Sequence, residues 1–125
     1  MKTMKNLTLV VLAVLLAATL VACGPPSMQD IVDDVNSDED LHNSLAGLYA
    51  FLAEARGDST IALIFRAEME ELATPEVAQL SADTAGPEFQ NIVLPEMRNA
   101  GISDPIVVLE YQDMDGVLIY SREFS

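Results

Sequence analysis

"AGLYAFLAEARGDSTIALIFRAE", Ala46–Glu68, is the stretch on which the fold turns. Its second half reads plainly. Ile61, Leu63, Phe65 and Ala67 alternate with Thr60, Arg66 and Glu68, the period of two that marks a half-buried strand. Its first half has two readings. Leu41, Leu45, Leu48 and Leu52 form a stripe at helical spacing, and the alanine content favours a helix. Tyr49, Phe51, Ala53 and Ala55 also alternate with Glu54 and Arg56, as in a strand that turns back at Gly57-Asp58.

A second stretch bears on that choice. "AGISDPIVVLEYQDMDGVLIYSREF", Ala100–Phe124, has the same layout: Ala-Gly and an apolar residue, a glycine turn, then an apolar strand carrying one arginine, Arg66 or Arg122. Here both arms are strand-like. Val107, Leu109 and Tyr111 share one face, as do Leu118, Tyr120 and Phe124, and Asp115-Gly116 is a strong hairpin turn. The loose repeat favours two α-β-β units, with 48–56 as a strand and the helix as its alternative. The expected fold is α+β: an antiparallel sheet of about four strands in two hairpins, with helices packed on one face. The other side of the sheet would be open or covered by a partner.

Helix signals lie between and before the hairpins. Ser27 with Asp30 has the pattern of a capping box, and Ser37 with Asp40 repeats it. Gly47 is the expected stop. Thr74-Pro75-Glu76 opens a later helix with a cap and a first-position proline. Run straight to Ala100, that helix would be about 39 Å long, against about 27 Å for an eight-residue strand. A break is therefore expected at Gly86-Pro87, with Pro95 kinking the second piece.

The N-terminal segment carries the address. Lys2 and Lys5 precede the apolar run Leu7–Ala22, which is shorter than the roughly 20 residues of a spanning helix. A basic start, an apolar middle and small residues before a cut describe a secretory signal, 1–22. Leu20-Val21-Ala22-Cys23 resembles the lipobox of bacterial lipoproteins. That resemblance implies cleavage after Ala22 and a diacylglycerol on the Cys23 sulfur. Residues 23–27 are then the lipidated cysteine and a short tether, and 28–125 a single domain. Gly24-Pro25-Pro26-Ser27 reaches roughly 14 Å when extended, which holds the domain near the bilayer.

Charge narrows the function classes. The chain has six Lys and Arg against 20 Asp and Glu, a net −14. Both lysines lie in the signal, leaving only arginines against those 20 carboxylates. Such a surface disfavours nucleic acid, whose phosphates need cations. Cys23 is the single cysteine, so disulfides and cysteine metal sites are excluded within the chain.

The chemical motifs are thin. "RGDS", Arg56–Ser59, matches an adhesion tripeptide but is also ordinary turn chemistry. "DMDG", Asp113–Gly116, echoes the start of a calcium loop, yet the twelfth position is Phe124 where a glutamate is required. Asp38-Glu39-Asp40 reads as a solvated face or as helix-start acids. His42 is the one histidine and reads as a surface residue. No serine has the setting of a hydrolase nucleophile. Tyr49, Tyr111 and Tyr120 read as a half-buried sheet face or, alternatively, a peptide or ligand platform.

The lipobox, "VNSDE" (Val35–Glu39), the glycine turn before "TIALIF" and the terminal "DGVLIYSREF" together resemble a family of small uncharacterised lipoproteins of Gram-positive bacteria, a domain of unknown function. The resemblance implies a strand before the first turn glycine and lends no activity. The sequence therefore leads one to expect a lipid-anchored module on the extracytoplasmic face of the cell membrane. It would be non-enzymatic, with no catalytic residue, metal site or cofactor, and would bind a protein partner at or near the membrane. The alternative is a carrier or sensor of a small apolar ligand held between sheet and helices.

Overall fold

A computed structural model describes residues 27–125. The signal, Ala22 and Cys23 lie outside the described residues. Ser27 caps α1 (Met28–Ser37) in a capping box: its hydroxyl accepts from the Asp30 amide at 3.1 Å, and the Asp30 carboxylate accepts from the Ser27 amide at 3.2 Å. Met28, Ile31, Val32 and Val35 are buried, one stripe of a short helix. The second cap falls one residue later than expected. Ser37 ends α1, and the Asp38 carboxylate caps α2 (Glu39–Leu45) by accepting from the Leu41 amide at 3.0 Å.

Gly47 resolves the ambiguous stretch. Its φ of 83° lies in the left-handed region, which a glycine enters without penalty. The leucine stripe ends there, and Tyr49–Ala55 is a strand, β1. It turns at Gly57 and returns as β2 (Thr60–Ala67), paired antiparallel with Leu52 opposite Ile64. Gly101 ends the last helix in the same way, with a φ of 98°. There the Gly101 amide donates to Arg98 and the Ile102 amide to Met97, a Schellman stop.

The later helical region does not break at Gly86-Pro87. α3 (Pro75–Glu88) runs through both residues, capped by the Thr74 hydroxyl. It continues as a π turn over Phe89–Val93 and then as α4 (Leu94–Asn99). Gly86 serves packing instead: a Cβ there would stand 3.3 Å from the Phe124 ring. The irregularity is displaced toward Pro95. An α-helix would drive that proline ring into the carbonyl four residues earlier. The π turn widens the coil there, and Leu94 donates to Phe89, five residues back.

β3 (Ile106–Gln112) and β4 (Leu118–Phe124) form the second hairpin, also antiparallel. The sheet order is β1-β2-β3-β4. The two hairpins are as expected, and the fold is α+β. They meet through a parallel pairing, Ile61 opposite Val107 and Phe65 opposite Tyr111, so the sheet as a whole is mixed rather than antiparallel. The cause is the helical connection: a chain that returns through α3 and α4 restarts its strand in the same direction.

Helices cover one face. Tyr49, Phe51 and Ala53 of β1, Ile61, Leu63 and Phe65 of β2, and Val107, Leu109 and Tyr111 of β3 are buried there. Phe65 is the hub of this layer, 5.2 Å from Phe51, 5.7 Å from Tyr49 and 5.1 Å from Tyr111 between ring centroids. Arg122 lies on the same face. It pairs with Asp83 of α3, its guanidinium 5.6 Å from the Tyr120 ring.

Candidate interaction face

The opposite, outer face is covered by no described element. It presents Ala50, Leu52 and Glu54 from β1, Ala62, Ile64 and Arg66 from β2, and Val108, Glu110 and Gln112 from β3. Leu52 is 54% exposed, and Ile64 is half-buried beside it. A groove of about 350 Å³ opens there, lined by Ala50, Phe51, Leu52, Ile64, Arg66 and Gln112. It joins an apolar floor to one cation and one amide.

One end of the face is fixed by charge. Arg56 forms a two-pronged pair with Glu110, at 2.5 and 2.8 Å, and a looser contact with Glu54 at 3.5 Å. The strap runs from the end of β1 to β3, across β2. Arg56 is level with Thr60, to whose carbonyl its amide donates, and Glu110 is level with Ile64. Ala62 lies midway beneath, fully buried on a face that no helix covers. A larger side chain there would lift the strap. The Arg56 hydrogen bonds hold the Glu110 carboxyl below its usual range, and Glu110 in turn raises Arg56.

The edge of β1 is also secured. The Asn36 side chain accepts from the Ala53 amide at 2.8 Å and donates to its carbonyl at 2.9 Å. One amide thus satisfies two outward backbone groups of an edge strand, which would otherwise invite another chain.

These contacts sort the motifs. In "VNSDE", Val35 is core, Asn36 clamps the β1 edge and Asp38 caps α2. The arginine of "RGDS" is turned back onto Glu110 rather than presented at the tip. In "DMDG" the Asp113 carboxylate accepts from the Asp115 and Val117 amides, both at 2.9 Å, so it closes the turn. No group of three or more His, Cys, Asp or Glu among the described residues is placed to hold a metal ion. His42 is half-buried rather than fully at the surface, its ring 5.5 Å from Phe51. Tyr49 and Tyr111 lie beneath the helices, where burial pushes both phenols up and keeps them protonated. Tyr120 is half-buried at the rim of that layer, so the tyrosines form no outer platform.

Sequence alternation assigns Leu52, Ala62 and Ile64 to the polar side of their strands. Apolar residues on that side were the available signal for the groove. The strap and the Asn36 clamp join residues 54 and 17 positions apart, and no local pattern marks either. No family model, curated protein or solved structure matches the chain. No helix of the described residues is long and apolar enough to cross a membrane.

Proposed function

We propose that this chain is a non-enzymatic interaction module, lipid-anchored through Cys23 on the extracytoplasmic face of the cell membrane, which holds a protein partner against the outer sheet face. The observation that carries this reading is the groove around Leu52 and Ile64, apolar and open beside the exposed cation Arg66. An apolar centre with a polar rim is the ordinary anatomy of a protein contact. The signal and lipobox supply the address, and the short tether would hold the domain close to the bilayer.

The test is native mass spectrometry of the full lipoprotein, gently extracted from its own membrane, beside its Leu52→Asp variant. A protein that accompanies the wild type and leaves the variant supports the proposal. A bare chain in both cases contradicts it. The second reading, a small-molecule carrier, draws on the groove volume, which lies within the range of ligand sites. It predicts a small bound mass in place of a protein.

A further inference from the structure

The charges of the outer face are not all answered within it. Ala50, Arg66 and Gln112 make one row across the strands, and Leu52, Ile64 and Glu110 make the next. Glu110 holds the guanidinium of Arg56, which also touches Glu54. Arg66 has no such partner. It is exposed, it makes no ion pair among the described residues, and its neighbours across the sheet, Ala50 and Gln112, are neutral. Glu68, two residues further along the chain, lies within ion-pair distance of no described cation.

Arg66 lines the same groove as Leu52 and Ile64. A partner that covers the apolar floor therefore also takes this guanidinium out of water. Covered without a counter-charge, it works against the contact. Covered by a carboxylate, it makes charge-assisted hydrogen bonds, two-pronged where the geometry allows. Gln112 stands beside Arg66 in the groove and adds an amide donor. Arg66 is two residues from Ile64 along β2, about 7 Å. The carboxylate must then sit close to the apolar side chains that fill the groove.

Net charge limits how many carboxylates the partner can bring. A chain of −14 repels a run of acids or a sheet of anionic headgroups. Screening beyond about 8 Å at physiological salt spares a close pair with one carboxylate.

We infer, on the reading of the outer face as an interaction surface, that the partner is a protein segment carrying one carboxylate among apolar residues. The carboxylate pairs with Arg66 and Gln112, and the apolar residues cover Leu52 and Ile64. Its flanks are neutral or basic. A basic flank suits Glu54, which is exposed and holds Arg56 only at 3.5 Å. Arg66 sets specificity, because an uncharged or basic residue over it leaves the guanidinium unanswered, and the apolar pair supplies contact area.

The described residues contain no lysine, so Arg66→Lys places a unique amine in the groove. Carbodiimide treatment of this variant, as the full lipoprotein in its own membrane, should join position 66 by an amide bond to an aspartate or glutamate of the accompanying protein. Arg98→Lys, at an exposed position of α4, should form no such bond. In native mass spectrometry Arg66→Glu should weaken binding about thirtyfold or more, which strips the accompanying protein. Absence of an amide at position 66 overturns the inference. So does a fatty acid or anionic lipid bound in place of a protein. A protein that survives Arg66→Glu but leaves Leu52→Asp also overturns it, while the interaction face stands. A bare wild-type chain removes both the inference and the reading of the face.

Discussion

On the inner face of β2, Ile61, Leu63 and Phe65 are wholly buried in a layer of stacked and tilted rings. On its outer face, one residue away in each case, Ala62 lies beneath an ion pair, Ile64 is half-buried and Arg66 is exposed. The same strand therefore serves two purposes. The inner face holds the fold, because each large side chain is surrounded by others and its loss leaves a hole. The outer face contributes little to the fold and keeps its apolar residues available. The two arginines at the repeat's equivalent positions divide the same way. Arg122 is drawn inward to Asp83 of α3, while Arg66 stays on the open side.

Substitutions on the two faces should separate stability from association. Phe65→Ala, at the centre of the aromatic layer, should lower stability by about 3–5 kcal/mol in denaturant unfolding. A loss under 1 kcal/mol would mean the inner layer is not the main support. Asn36→Ala removes both hydrogen bonds to the β1 edge and should cost about 1–2 kcal/mol, with faster hydrogen exchange at the Ala53 amide than at Leu63. Unchanged exchange at Ala53 would deny the clamp. Glu110→Gln tests the strap, a partly exposed pair with an expected value of about 0.5–1 kcal/mol. Since Arg56 lowers the Glu110 carboxyl in the folded state, its contribution is present above the usual carboxylate range. It is lost as pH falls through the lowered folded value. The variant should therefore show a shallower decline of melting temperature in acid than wild type, and an identical acid limb would contradict the strap. Leu52→Asp should have the smallest effect on stability, within about 0.5 kcal/mol, while removing the partner.

The elements that the sequence discloses are those governed by neighbours in the chain. Ser27 with Asp30, Thr74 with Pro75, Gly47, Gly101 and the Asp113–Gly116 turn each act over a few residues, and each stands where the local pattern places it or within one position. The strand at Tyr49–Ala55 needed more, because its composition also fits a helix; the repeated Ala-Gly stop tipped the choice. The parallel meeting of β2 and β3 is set by a connection of about forty residues, beyond the reach of any local pattern. Gly86 and Pro87 read as a break because both weaken isolated helices. In the fold, the space that Gly86 leaves is taken by Phe124, and the adjustment falls at Pro95 instead. The groove was half legible, since its apolar residues interrupt the polar side of two strands. The charges that frame it come from β1, β2 and β3 and converge only in the sheet.

The most direct test of the central claim is a photoreactive residue at position 52, compared with one at position 80, in the full chain within its own membrane. Both sites are exposed, one on the outer sheet face and one on α3. The expected result is a discrete crosslinked product from position 52, to a partner protein, and none from position 80. Equal labelling from both positions, or a discrete product from position 80 alone, would contradict the account.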